Sequence, residues 1–309
     1  GLHPVDLGRF GFAPSVSSLG ILETSGGPMI LVQFVCLGIV ALYVGARARS
    51  ESDPGPFFRR LCLLAVASWV AEETMILGYR FYRYDPQWNL FLGHVPLAIA
   101  LIWPVVIHSA WDLAEALVRS KRVAFLGGLL VLADASLIEP IAVASGFWSW
   151  VVPGLFGVPL VGLIGWGLFA GMAIRVLESN RMGSWVGDLW VLVVPGLFAH
   201  LGVLAFWWGG LRRFQGEIPG EWACLVGWCL SLFLSGSIFR YSLGQRVSPN
   251  DLFLRIPPAI FFYALVFGYG MQSSHLLIYS MAFAPPYVFL TIRSACNQAG
   301  PSDDEYVVD

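Results

Sequence analysis

The chain has 309 residues, of which 57% are hydrophobic and 12% charged, with a formal net charge of −2 and a mean hydropathy of +0.71. Soluble proteins average about 25% charged residues, and at half that level no arrangement of the core keeps a water-facing surface polar, so a soluble enzyme is excluded. The 13 Trp, 22 Phe and 10 Tyr exclude disordered, collagen-like and coiled-coil chains, and the slightly acidic balance argues against a nucleic-acid partner.

In chain order, residues 1–27 read as an extracytoplasmic segment. They lack the basic stretch followed by a short apolar core that marks a secretory signal peptide. A spanning helix needs about 20 mostly apolar residues, and such runs occur near 28–46, 61–79, 90–112, 122–144, 151–174, 185–209, 222–241, 256–270 and 273–292. The last two could form one long broken helix, so the expected fold is an all-α polytopic integral membrane protein of 8–9 transmembrane helices in a single bundle over 28–293. Residues 294–309, ending in PSDDEYVVD, are expected to be a disordered acidic tail.

Basic residues fix the expected orientation. Arg47, Arg49, Arg59, Arg60, Arg119, Lys121, Arg122, Arg175, Arg181, Arg240, Arg246, Arg255 and Arg293 fall on one side, thirteen against the five of the other side, Arg9, Arg80, Arg83, Arg212 and Arg213. The positive-inside rule then places the amino terminus outside the cytoplasmic membrane. The five cysteines form no CxxC or metal spacing and read as small apolar residues.

Ionisable groups inside a bilayer cost roughly 2.5 to 3.5 kcal/mol on insertion scales, so each needs a reason. The second span carries Glu72 and Glu73 one turn after Trp69, and adjacent helical residues point about 100° apart, so at least one carboxyl faces inward. Glu73 can be satisfied by Arg80 or Arg83. The fourth span carries Asp134 near mid-membrane and Glu139 next to Pro140, which removes a backbone donor, crowds the carbonyl of Ser136 and is expected to kink the helix. His108, Asp112 and Glu115 share one helix face and read as a solvated helix end, with Glu115 paired to Arg119, in preference to a metal site. Trp69, Trp103 and Trp166 lie deeper than an interfacial belt requires. Carboxyls among aromatic walls suit protonation of an alkene, because π faces stabilise a neighbouring cation.

The order W-x-x-E (Trp69, Glu72), Y-x-Y (Tyr82, Tyr84), G-x-V-P (Gly93, Val95, Pro96), Trp103, Asp134, Glu139-Pro140, G-x-W-x-W (Gly146, Trp148, Trp150), G-V-P (157–159) and G-W (Gly165, Trp166) resembles the carotenoid biosynthesis proteins. These include the bacterial and archaeal carotenoid 1,2-hydratases of the bacterioruberin and myxoxanthophyll type. The resemblance covers about 65–175. It departs from the family pattern at Glu139, where Asp is more usual, and at Tyr79, Arg80 and Phe81, which replace Pro-Phe-Gly. What the resemblance implies is hydration of a terminal isopropylidene group of a long-chain isoprenoid or carotenoid, in contact with membrane lipid, with no redox cofactor and no metal. The candidate catalytic residues are Asp134, Glu72 and Glu139, expected to face one elongated apolar cavity among spans two to five. Asp134 is the first candidate donor because it lies deepest, Glu72 the second, and Glu139 the candidate for water activation. Trp69, Glu73, Tyr82, Tyr84, Trp103, Trp148, Trp150 and Trp166 are the candidate substrate-binding residues. A protonation-initiated cyclase and a non-catalytic lipid-binding or transport protein are the alternatives.

Overall fold

The computed structural model describes residues 27–118, 122–179, 184–213, 216–240, 247–269 and 273–299. The expectations for the amino-terminal segment, for the acidic end of the tail and for a Glu115–Arg119 pair lie outside them. Among the described residues nine helical stretches are long and apolar enough to cross a membrane. The protein is an all-α polytopic membrane protein, in which helices satisfy the backbone internally as the absence of water in a bilayer demands.

The helices are α1 (Gly27–Ser50), α2 (Gly55–Tyr79), α3 (Leu97–Leu117), α4 (Val123–Ala144), α5 (Leu160–Ser179), α6 (Trp185–Gly209), α7 (Gly220–Arg240), α8 (Pro249–Phe253), α9 (Ile256–Tyr269), α10 (Ser274–Met281) and α11 (Ala284–Ala299). The eighth stretch crosses from α8 into α9 and the ninth from α10 into α11, so the last two apolar runs are separate spans. The helix α11 continues to Ala299, beyond the end at 292 that hydropathy predicts, and into the start of the expected tail.

The local signals act where the chain turns. Pro sits in the first turn of α2, where its missing N–H would have no partner in any case. Ser184 and Ser273 accept from Gly187 N and Leu276 N at the starts of α6 and α10. Within α4, Pro140 supplies no donor to the carbonyl of Ser136, and the Tyr279 hydroxyl donates to it at 3.0 Å. A hydrogen bond from α10 thus replaces the intrahelical one that proline removes.

Small residues bring α4 and α5 together. A Cβ at Gly128 would lie 2.8 Å from the carbonyl oxygen of Gly167 and 3.1 Å from the Cα of Gly171, the close backbone approach typical of small-residue seams in membranes. Gly128→Val is therefore expected to pry α4 from α5 and lower stability by about 1–3 kcal/mol, read as a lower midpoint of thermal unfolding in detergent.

Two short antiparallel ladders cap one end of the bundle, here the strand end. Strand β1 (Tyr82–Tyr84) pairs with β4 (Trp148–Trp150), and β2 (Phe91–Leu92) with β3 (Val95–Pro96). Among the described residues these ladders depart from the all-helical expectation without altering the all-α class. At the opposite end, His108 and Asp112 belong to a buried ion cluster rather than to a solvated helix end. Tyr43 Oη lies 2.9 Å from His108 Nδ1 and donates to Asp112, while Arg47 contacts both Asp112 and Asp251 at 3.2 Å. Among the described residues no group of three or more His, Cys, Asp or Glu is arranged to hold a metal ion.

Candidate active site

The β1–β4 ladder aligns two alternating motifs. Its register sets Tyr82 opposite Trp150, Arg83 opposite Ser149 and Tyr84 opposite Trp148. Successive side chains of a strand point to opposite faces, so Arg83 and Ser149 are exposed while the four aromatics turn into the bundle. Tyr82 packs on Trp150 with ring centroids 4.6 Å apart, and Tyr84 on Trp148 at 5.6 Å.

Beneath this aromatic layer lie two buried glutamates. Glu72, on α2, is 4% exposed and Glu139, on α4, is 3% exposed. Tyr84 donates to Glu72 Oε1 at 2.7 Å and Tyr82 to the same oxygen at 3.5 Å. Burial pushes both phenols well above their ordinary pKa, so they remain protonated donors across the physiological range. Glu72 Oε2 is buried and has no hydrogen-bond partner among the described residues. Glu72 lines a cavity of about 50 Å³ together with Tyr82, Trp150, Trp166, Gly165 and Val203. Roughly 10–15 Å³ suffices for one water-sized group.

Glu139 is satisfied on both oxygens. Trp148 and Trp150 donate their indole N–H groups to Oε2 at 2.8 and 3.2 Å, and Trp166 donates to Oε1 at 3.2 Å. An indole can only donate and an ionised carboxyl only accepts, so three convergent indoles are complementary to a carboxylate. Trp166 in turn stacks on Trp103 at 3.6 Å between centroids. Trp103 and Trp148 line a further small apolar cavity. A site residue with no signal in the sequence is Gly162. A Cβ there would lie 2.5 Å from the Trp150 ring, so this glycine leaves the space in which Trp150 reaches Glu139.

Three sequence candidates stand apart from this pair. Trp69 donates to the Leu92 carbonyl at 2.9 Å and so ties α2 to β2. Glu73 binds His94, through its backbone N at 2.8 Å and its Nδ1 at 2.7 Å, and not Arg80 or Arg83. Gly93 has φ +63°, and a Cβ there would lie 2.6 Å from the Glu73 carboxylate, so glycine is required by conformation and by space. Asp134 lines a different cavity. Both its oxygens accept from Arg255 Nη2 at 2.6 Å, and Tyr287 donates to Oδ1 at 3.2 Å.

Glu72 and Asp134 thus line different cavities and Glu139 lines neither of them, so the expectation that one cavity collects all three acids is not met. The neutralising cation of Asp134 comes from outside spans two to five. Arg255, expected among the loop residues, lies at the α8–α9 junction with its side chain 12% exposed. Removing one member of a buried ion pair strands the other. Arg255→Leu is expected to cost about 3–5 kcal/mol on that basis, and Arg255→Leu with Asp134→Leu to recover most of it, both read from thermal unfolding of the detergent-solubilised protein.

No curated protein and no solved structure matches the chain. A family model described as carotenoid biosynthesis protein matches residues 28–214, which takes in α1 to α6, all four strands and both buried glutamates. That is more than half of the sequence, and the chain belongs to the carotenoid biosynthesis protein family.

Proposed function

We propose that the protein is an enzyme of the cytoplasmic membrane that adds water to the terminal isopropylidene double bond of a long-chain isoprenoid or carotenoid, with its amino terminus and strand end outside. The observation that carries the reading is the asymmetry of the two glutamates: Glu139 accepts on both oxygens from three indole donors, while Glu72 keeps one buried oxygen without a partner among the described residues.

In this reading Glu72 Oε2 carries the proton. It passes to the alkene carbon that bears hydrogen, and the positive charge develops at the doubly methylated carbon. The faces of Tyr82, Trp150 and Trp166, which share the cavity with Glu72, stabilise that tertiary cation. A water molecule then adds its oxygen to the cation and loses a proton to the Glu139 carboxylate. Transfer of that proton back to Glu72 completes the cycle, and the net change is alkene plus water to tertiary alcohol. Two carboxyls of different environment thus serve as acid and base. Asp134 has no donor role, because its oxygens are engaged by Arg255.

Incubation of the purified protein with an acyclic carotenoid, followed by mass analysis, tests this directly. A product heavier by one water supports the reading. A product of unchanged mass would show cyclisation instead, and unaltered substrate would indicate binding or transport.

A further inference from the structure

A second cavity is larger than the one beside Glu72. It has a volume of about 450 Å³, within the roughly 300–1,000 Å³ of ligand sites. It lies between α3, α4, α8, α9 and α11, so most of its wall is chain beyond the family match at 214. The small cavity beside Trp103 and Trp148 shares Ile39, Ile102, Val106, Ile138, Pro258 and Phe262 with it. The apolar wall therefore continues to Trp148, which donates to Glu139, and to Trp103, which stacks on Trp166.

One polar cluster interrupts this wall. Arg255 reaches Asp134 with Nη2 and Ser109 Oγ with Nη1 at 3.0 Å, and Nη2 also donates to Tyr287 at 2.9 Å. The ion pair cancels its own charge and holds no spare cation for an anionic ligand. What it retains is acceptor capacity. Asp134 Oδ1 accepts from Arg255 and Tyr287, while Oδ2 accepts from Arg255 alone, and a carboxylate oxygen has two lone pairs. The group that complements the cluster is therefore an uncharged hydroxyl.

We propose that this cavity binds a neutral linear isoprenoid alcohol, with its chain along the apolar wall and its hydroxyl donating to Asp134. The ligand class rests on the reading above, since addition of water to a terminal alkene yields such an alcohol. Asp134 and Glu139 are five residues apart on α4, about 7.5 Å along the axis at 1.5 Å per residue.

The test uses the full chain in lipid nanodiscs and three probes: geranylgeraniol, geranylgeranyl diphosphate and the hydrocarbon of the same carbon skeleton. Retained ligand is quantified by mass spectrometry across a concentration series. The alcohol is expected to bind at least about tenfold more tightly than the hydrocarbon, the effect of one hydrogen bond to a charged group. That preference should disappear in Asp134→Leu/Arg255→Leu, and Ala259→Trp, which fills the cavity, should weaken both ligands. Equal affinity for alcohol and hydrocarbon, tighter binding of the diphosphate, or wild-type binding in Ala259→Trp overturns the proposal. If the double variant does not fold, Asp134→Asn decides the polar contact: a reduced preference supports it and an unchanged one overturns it. Binding that fails while water addition persists removes this site and leaves the proposed reaction. Binding that persists without water addition does the reverse.

Discussion

Glu72→Gln is expected to lower turnover by about 10²-fold or more, the loss typical of a missing general acid, while leaving substrate affinity nearly unchanged. The amide keeps the shape and still accepts from Tyr84 on its carbonyl oxygen, so the contact at 2.7 Å survives. What it lacks is the transferable proton on the oxygen that has no partner. A separation of the two parameters in steady-state kinetics, with turnover reduced and KM retained, is the expected signature. A variant that loses both equally with a collapsed unfolding transition would assign Glu72 a structural role instead. Tyr84→Phe serves as the companion, because it removes one donor to Oε1 and leaves the proton in place. Its effect is expected to be smaller than that of Glu72→Gln.

Glu139→Gln is expected to damage both stability and activity. Oε2 accepts from two indoles and Oε1 from a third, whereas an amide presents one acceptor and one donor group. Whichever way the amide turns, an NH₂ faces an indole N–H. A buried donor left without an acceptor costs about 1–3 kcal/mol, and the indoles concerned include those of β4. Turnover is expected to fall about 10²-fold through loss of the base, and the unfolding midpoint to fall with it. Glu139→Asp keeps the charge on a shorter stem and is expected to retain more activity than Glu139→Gln. Equal damage in both variants would argue that side-chain length, and not charge, is what the three tryptophans require.

Much of this was legible in the residues, for reasons that differ from case to case. The spans were readable because a bilayer imposes length and polarity on each helix separately, so no knowledge of neighbours is needed. The pairing of Glu72 and Glu139 with aromatics was also within reach, since acids in apolar helices must be satisfied and W-x-W and Y-x-Y alternate with period two. That alternation is the signature of strands, and it went unread beside the much stronger helical hydropathy. Strands of three residues have too little pattern to compete.

The partners of Asp134 were not legible. Arg255 sits beside an apolar run that begins with two prolines, where counting places it in a loop. Its reach of 121 residues in sequence to Asp134 is a property of how α9 and α11 pack on α4. Depth in the membrane suggested that Asp134 was the acid most in need of a proton, whereas the fold met the same need with a cation. Gly162 is invisible for a related reason, since a glycine that makes room for Trp150 looks like any other glycine in a membrane helix.

The central claim is that Glu72 delivers a proton to a terminal alkene carbon. Turnover of a linear carotenoid in deuterium oxide by the purified protein, with the product mapped by NMR, tests it most directly. One deuterium is expected on the carbon next to the new tertiary carbinol, formed by the wild-type protein and reduced about 10²-fold in rate in Glu72→Gln. A tertiary alcohol without carbon-bound deuterium, or deuterium incorporation at an undiminished rate in Glu72→Gln, would contradict it.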